Sequence, residues 1–143
     1  MYPPQLTAPM KADLTDFGFE DITTADQVDD LITKSEGTVF LVVNSVCGCA
    51  AGNARPAAKA AVHYSEKKPD RIATVFAGVD FEAVNRAREY TLPYPPSSPS
   101  MAIFKDGKLV HFVERLQIEG NSAQQIAQHL LGAFAEHCEL VNS

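Results

Sequence analysis

The segment Thr38–Asn44 has the sequence Thr-Val-Phe-Leu-Val-Val-Asn, which is almost continuously apolar and rich in β-branched residues. Its length and composition predict a β-strand, and the apolar residues at consecutive positions predict that both faces of the strand are covered. The segment Arg71–Ala77 has the same character. Because helices must cover both faces of a sheet built from such strands, the chain is expected to adopt an α/β fold.

Helical patterns lie before, between and after these two strands. Their predicted extents are Gln5–Phe17, a segment from Thr24 to Gly37, Cys49–Glu66, Phe81–Tyr90 and a last helix that follows Asn121. Pro56 lies inside the third of these segments, where a proline is expected to kink the helix. The first two helices precede the first predicted strand and therefore form an N-terminal extension of the α/β core.

Apolar stripes and capping residues support these helices. The predicted buried stripes are Leu6, Met10, Leu14 and Phe17 in the first helix, Phe81, Val84 and Ala87 in the fourth, and Ile126, Leu130 and Phe134 in the last. Thr24 with Gln27, and Asn121 with Gln124, are predicted to cap the second and the last helix.

Two further strands complete the predicted sheet. Ser100–Lys105 and Lys108–Val113 flank Asp106-Gly107, which is typical of a hairpin turn. The first two strands are expected to be parallel with a right-handed crossover, and the hairpin to add antiparallel strands at one edge. The sequence thus predicts a mixed sheet of about four strands flanked by helices, with all residues, 1–143, in a single domain.

Composition excludes several classes of function. The net charge is −6, and lysines and arginines do not cluster, which argues against a nucleic-acid partner or an anionic membrane surface. There is no apolar run of about 18 residues, and the first residues do not resemble a signal peptide. Three cysteines are an odd number for a disulfide scaffold, so a reducing, cytoplasmic location is expected.

The sequence Cys47-Gly48-Cys49 lies where the first buried strand ends and a helix begins. Active sites of α/β proteins lie at this edge of the sheet, and a helix N-terminus stabilises an anion such as a thiolate. The pKa of Cys47 is therefore expected to lie below the usual thiol value of about 8.5. A thiolate attacks disulfide bonds, so this position favours thiol–disulfide chemistry.

The spacing of the two cysteines further restricts that chemistry. In a regular helix their side chains point to different sides, so a Cys47–Cys49 disulfide requires a distorted backbone, which Gly48 permits. Such a bridge is expected to be strained and easily reduced. Two alternatives stay open: the cysteines are simply small buried residues, or they bind a metal together with Cys138 and His137.

Other residues are weaker candidates. Arg55 follows the cysteines in the chain and is predicted either to bind a substrate carboxylate or to have a structural role. Pro99 precedes a strand, and from the residues alone an ordinary trans bond after Ser98 is favoured over a cis bond. The four histidines show no metal-ligand spacing and are interpreted as structural or surface residues.

The chain resembles the thioredoxin fold, and within it the bacilliredoxin family. A cysteine motif between a buried strand and a helix, followed by Ser-Pro before Met-Ala-Ile-Phe-Lys-Asp-Gly-Lys, is similar to thioredoxins. The segments that resemble bacilliredoxins are Asn44–Ala58 with its Cys-Gly-Cys, Val75–Gly78, Pro96–Ala102, His111-Phe112, Ile118–Gly120 and His137-Cys138. The resemblance extends over essentially the whole chain and implies a cis bond between Ser98 and Pro99.

The resemblance also implies an activity. Bacilliredoxins remove bacillithiol from S-thiolated cytosolic proteins, and members of the family are also described as disulfide isomerases. Carried over, Cys47 attacks and Cys49 resolves. The expected supporting residues are Gly48, Asn44, Ser98 and Pro99, and the candidate substrate-binding residues are Arg55 and Ser100. No bound cofactor is implied. Bacillithiol or a related low-molecular-weight thiol is the implied co-substrate, and S-thiolated client proteins and a reductase are the implied partners.

The sequence departs from general thioredoxins in one position that bears on mechanism. Leu41 occupies the strand position where a buried aspartate is expected to assist the resolution of mixed disulfides. The general base for Cys49 therefore stays unidentified, and a route that uses Cys47 alone stays open.

Overall fold

The computed structural model describes residues 2–140. Its helices are α1 (Pro4–Thr15), α2 (Ala25–Thr33), α3 (Arg55–Tyr64), α4 (Phe81–Tyr90), α5 (Arg115–Glu119) and α6 (Ala123–His137), and a π-helical turn (Ala50–Ala54) precedes α3. Its strands are β1 (Glu20–Asp21), β2 (Thr38–Asn44), β3 (Lys67–Lys68), β4 (Arg71–Phe76), β5 (Ser100–Lys105), β6 (Lys108–Val113) and β7 (Glu139–Leu140).

The main sheet has the strand order β1-β4-β2-β5-β6. Strands β1, β4 and β2 are parallel, and β5 and β6 are antiparallel to their neighbours, so the sheet is mixed as predicted. The four predicted strands are confirmed, and the two-residue strand β1 adds a fifth that no sequence pattern indicated. Strands β3 and β7 form a separate two-stranded sheet.

Helices cover both faces of the sheet, and β2 is buried along its whole length. On one face, Phe40 and Val42 belong to a core cluster with residues of α3 and α6. On the other face, Leu41 and Val43 belong to a second cluster with residues of α2 and α4. The continuous apolar character of β2 is thus explained by two cores, one on each face.

The first and fourth helices are less buried than their stripes predicted. In α1, Leu14 is fully buried, but Leu6 is 44% exposed, and Phe17, which follows the helix, is 40% exposed. In α4, Val84 lies in the core whereas Phe81 is 49% exposed. The predicted stripes were therefore too long at their ends, because burial at the end of a short helix depends on tertiary neighbours that its own periodicity does not specify.

The sequence predicted capping residues for two helices, α2 and α6. Thr24 and Gln27 form the predicted capping box of α2. In α6 the prediction was wrong by one position, since Ser122 caps the helix and Gln125 completes the box. Asn121 instead donates a side-chain hydrogen bond to the carbonyl of Gln117. That carbonyl lies in α5, a five-residue helix that was not predicted.

The third predicted helix is interrupted near its start. Helix α3 begins only at Arg55, with Pro56 in its first turn, where a proline is tolerated. The residues before it form the π-helical turn rather than α-helix with a kink. Among the described helices, none combines the length and the apolar character needed to cross a membrane.

Candidate active site

Cys47 lies just beyond the carboxyl end of β2, at the start of helical backbone. Its carbonyl accepts hydrogen bonds from the backbone N–H groups of Ala50 at 2.9 Å and Ala51 at 3.3 Å. Both Cys47 and Cys49 are free thiols and partly exposed, and Gly48 between them is exposed. The strand–helix junction predicted from the sequence therefore places two accessible thiols at the edge of the sheet where α/β proteins bind ligands.

The two thiols differ in their surroundings. The backbone N–H of Cys49 donates to Cys47 Sγ at 3.4 Å. Hydrogen bonds from the Cys49 thiol and from this N–H lower the pKa of Cys47. Burial and the neighbouring Cys47 raise the pKa of Cys49. The arrangement therefore favours a thiolate at Cys47 and a protonated thiol at Cys49, which is the difference that an attacking and a resolving cysteine need.

Arg115 is an active-site residue that the sequence analysis missed. Its Nη2 donates to Cys47 Sγ at 3.5 Å, its Nη1 donates to the carbonyl of Ser98 at 3.4 Å, and its Nε pairs with Glu119 at 3.0 Å. The guanidinium charge further lowers the pKa of Cys47. Arg115 is 68 residues from Cys47 in the chain, and it lies in the unpredicted helix α5, so no local signal pointed to it.

Asn44 ties the end of β2 to the cysteine loop. Its side chain is 1% exposed, and its Oδ1 accepts hydrogen bonds from Ser45 N–H at 2.9 Å and from Arg55 Nη1 at 3.2 Å. Ser45 Oγ in turn accepts from Cys47 N–H at 3.2 Å. This chain of hydrogen bonds holds the backbone that carries Cys47.

Arg55 lies on the inner side of this network. It is 5% exposed, and its Nε is 3.1 Å from Asp13 Oδ2 of α1. The Arg55 guanidinium thus has a carboxylate partner within the chain and donates a hydrogen bond to the buried side-chain amide of Asn44. This placement favours the structural alternative for Arg55 over a contact with a substrate carboxylate.

The Ser98–Pro99 peptide bond is cis, and Ser98 lines the same cavity as Cys47. The bond between Leu92 and Pro93 is also cis, which no pattern in the sequence indicated. Ser100, in contrast, is 2% exposed and pairs with Val43 in the sheet. Ser100 is not among the residues that line the cavity beside Cys47, whereas Ser98 is.

A cavity of about 340 Å³ opens beside Cys47. Its walls come from the cysteine loop, the turn after β4, helix α4, and the loop that carries Ser98. Arg88 of α4 and Arg115 of α5 are the charged side chains among its lining residues. The volume is that of a small-molecule site, adjacent to the thiol with the lowered pKa.

Cys138 and His137 lie apart from this cavity. Cys138 is 5% exposed in the core cluster that contains residues of α3 and α6. Among the side chains of residues 2–138, no three histidine, cysteine, aspartate or glutamate groups are arranged to hold a metal ion. The metal-binding alternative therefore has no site among them.

The structure brings together three histidines that the sequence analysis had treated separately. His111 Nε2 of β6 is 2.8 Å from His129 Nε2 of α6, and the ring centroids of His111 and His137 are 6.5 Å apart. Burial, followed by the nearby His129 and His137, lowers the pKa of His111. The spacing of His129 and His137, about two helical turns, was the available signal that they share a face of α6.

Comparisons with known proteins give a matching family model and relatives of high sequence identity. A family model described as disulphide isomerase matches residues 2–138. A bacilliredoxin of Cytophaga hutchinsonii is 60% identical over 136 residues, covering 95% of this chain and 99% of that protein. A bacilliredoxin of Bacillus licheniformis is 53% identical over 137 residues, covering 96% of this chain and 95% of its own length.

Solved structures show the same fold at low sequence identity. A thioredoxin from Halobacterium salinarum superposes with a TM-score of 0.59 at 17% identity, covering 87% of this chain and 95% of that one. Mitochondrial thioredoxin 3 from Saccharomyces cerevisiae gives a TM-score of 0.58 at 14% identity, with coverage of 87% and 98%. The mixed sheet with helices on both faces is thus a thioredoxin-like fold.

Proposed function

The chain belongs to the bacilliredoxin family, and we propose that it removes bacillithiol or a related low-molecular-weight thiol from S-thiolated cytoplasmic proteins. The observation that carries this proposal is the partly exposed Cys47 thiol, which has a lowered pKa and lies beside a cavity of small-molecule size. A thiol of this kind is nucleophilic at neutral pH and accessible to a disulfide on another protein.

In the first step, the Cys47 thiolate attacks the sulfur of the small thiol in the client's mixed disulfide. The client S–S bond breaks, a new S–S bond forms between Cys47 and the small thiol, and the client cysteine leaves as a thiolate that takes a proton from water. The Cys49 N–H and Arg115, which donate to Cys47 Sγ, hold the attacking sulfur in place before the reaction.

In the second step, Cys49 loses its proton and attacks Cys47 Sγ. The small thiol leaves with the electron pair of the broken bond, and a Cys47–Cys49 disulfide remains. Two electrons from a reductase dithiol, or from two molecules of the small thiol, restore the dithiol. Because the pKa of Cys49 is raised, this step is expected to accelerate as the pH rises.

Mass spectrometry of the intact protein tests the order of the two cysteines. Wild type, Cys47→Ala and Cys49→Ala are incubated with a bacillithiolated model protein. We expect Cys49→Ala to retain one bacillithiol adduct, wild type to form an internal disulfide, and Cys47→Ala to leave the substrate modified. Removal of the modification by Cys47→Ala at the wild-type rate would show that another residue attacks.

Disulfide isomerisation is the second candidate, and the description of the matching family model favours it. An isomerase needs only one attacking thiolate, which Cys47 provides, and a leaving group that is easily displaced. A protein with scrambled disulfides distinguishes the two activities. Recovery of its native pairing by this chain, together with no reaction on a bacillithiolated protein, would favour isomerisation.

A further inference from the structure

The cavity beside Cys47 is basic in a protein that is acidic as a whole. The chain has a net charge of −6, yet the residues lining this cavity include Arg88 and Arg115 and no aspartate or glutamate. Asp80, the nearby buried carboxylate at the start of α4, is paired with Lys11 at 3.0 Å and is not among the lining residues. The field inside the cavity therefore favours an anion.

Arg88 is the unusual member of this pair of arginines. Arg88 as a whole is partly exposed, but its Nε is buried without a hydrogen-bond partner. Among the side chains of residues 2–138, none forms an ion pair with its guanidinium. Burial alone lowers its pKa. Arg86, two positions earlier in α4, pairs with Asp29 and with Glu89 instead. A partly desolvated cation without an acceptor in the protein is energetically costly, so such a group is expected where a ligand supplies the acceptor.

Arg115 is the second cation of the cavity, and unlike Arg88 its guanidinium has partners within the protein. Its guanidinium contacts Cys47 Sγ, the carbonyl of Ser98 and Glu119, so its donors are already used in part. The two arginines thus differ: Arg115 acts on the thiolate, whereas Arg88 faces the same cavity with its donors unused.

We propose that Arg88 binds a carboxylate of the low-molecular-weight thiol while the sulfur of that thiol reacts at Cys47. This inference rests on the proposed function and deepens it, because it restricts the co-substrate to thiols that carry a carboxylate. Guanidinium and carboxylate groups fit in a bidentate manner, and a cavity of about 340 Å³ has room for a small thiol.

This contact also determines which sulfur Cys47 attacks. A mixed disulfide has two sulfurs, one from the client and one from the small thiol. With its carboxylate held by Arg88, the small thiol presents its own sulfur to Cys47, so the client leaves as the reduced thiol. Attack on the other sulfur would instead release the small thiol and bind the client to Cys47.

Two small disulfides of similar length test the role of Arg88. Dithiodipropionate carries a carboxylate on each half, and hydroxyethyl disulfide carries none. In a Cys49→Ala background, the Cys47 thiolate displaces half of either disulfide as a thiolate and keeps the other half as a mixed disulfide. The ratio of the two rate constants is the readout, because a change in the pKa of Cys47 affects both rates equally.

We expect Arg88→Gln to lower the ratio of the anionic to the neutral rate constant by about tenfold, the size of one charge-assisted hydrogen bond. Arg88→Lys keeps the charge and is expected to retain most of the ratio. Arg86→Gln, on the same helix but outside the cavity, is the matched control and should leave the ratio unchanged. Added salt should lower the ratio more in the parent than in Arg88→Gln, in which Arg115 is the remaining cation of the cavity.

Two results would count against the inference in different ways. An unchanged ratio in both Arg88 variants, with Cys47 still reactive, overturns the role of Arg88 and leaves the proposed function intact. A Cys47 thiol that reacts with neither disulfide in any variant overturns the proposed function itself, and the inference with it.

Discussion

At the scale of single residues, the reactivity of this site comes from donors arranged around one sulfur. Cys47 Sγ accepts hydrogen bonds from the Cys49 backbone and from Arg115, and the Cys49 thiol adds a third. Each donor stabilises the thiolate relative to the thiol, which lowers the pKa of Cys47. Of these donors only Arg115 is charged, and the hydrogen bonds from Cys49 are the larger causes of the lowered pKa of Cys47.

Removal of these donors is expected to raise the pKa of Cys47. Cys49→Ala removes the largest cause of the lowered pKa, and Arg115→Gln removes a smaller one, so the first variant should show the larger rise. Below the pKa, the thiolate fraction and the rate of attack fall about tenfold per pH unit. Thiolate ultraviolet absorbance against pH measures the shift, with Arg86→Gln as the control. A pKa that does not change in either variant would contradict this account.

Gly48 gives a second test at this scale. A Cβ at this position would meet no atom within 4 Å, so Gly48→Ala fits the dithiol form. We expect the stability of the reduced protein to change by less than about 1 kcal/mol. The Cys47–Cys49 disulfide requires a distorted backbone, so the same variant should disfavour the oxidised form and make the pair more oxidising.

Equilibration of Gly48→Ala with a glutathione redox buffer, followed by quantification of the disulfide, measures this effect. Urea unfolding of the reduced protein is the control. An unaltered disulfide fraction would show that the bridge does not depend on the freedom of a glycine at this position.

At the scale of secondary-structure elements, short helical segments bring residues that are distant in sequence to the cysteines. The five-residue helix α5 carries Arg115 to Cys47, and a capping box formed by Glu114 and Gln117 fixes its start. The π-helical turn before α3 follows the cysteines directly. Such turns occur at functional sites because they change the direction of the backbone within one turn.

The start of α6 gives the test at this scale. Ser122 Oγ accepts from Gln125 N–H at 3.2 Å, and loss of such a cap costs about 1 kcal/mol. Ser122→Ala should therefore lower the free energy of unfolding by about this amount. Gln124→Ala, at an exposed position next to the capping box, is the matched control and should have almost no effect. Denaturant unfolding measures both, and equal losses would show that the cap does not stabilise the helix.

At the scale of the whole molecule, two cores hold one sheet, and the histidine cluster links its edge strand to a covering helix. His111 lies on β6, and His129 and His137 lie on α6. The pKa of His111 is lowered below its ordinary value of 6.5, and the charged groups that affect it are His129, His137 and Glu136. Protonation of His111 is thus less favourable in the folded than in the unfolded chain.

This difference gives a pH dependence of stability with a definite sign. As the pH falls through 6.5 towards the lower folded pKa, the unfolded chain binds more protons, so the free energy of unfolding decreases. His111→Gln should reduce this decrease, whereas His63→Gln, outside the cluster, should not. Urea unfolding on both sides of this pH range measures the slope. An identical slope in wild type and His111→Gln would contradict the prediction.

Local patterns were sufficient for the elements of the core. The apolar runs predicted β2 and β4, the hairpin turn predicted β5 and β6, and the Cys-Gly-Cys motif lies at the predicted strand–helix junction. Where packing against a twisted sheet decides burial, the patterns failed, as the exposed Leu6 and Phe81 show. Elements of two or five residues, such as β1 and α5, are too short for a periodic pattern.

The sequence by itself determined the fold class and the location of the two thiols, because continuous apolar runs and a strand–helix junction are local properties of the chain. Only the tertiary structure decided the electrostatics of the site. It placed Arg88 and Arg115 around Cys47, gave Arg55 a carboxylate partner from α1, and joined His111 to His129. Charges act through space over several ångströms, so residues far apart in sequence set the pKa of a thiol that the sequence alone could only locate.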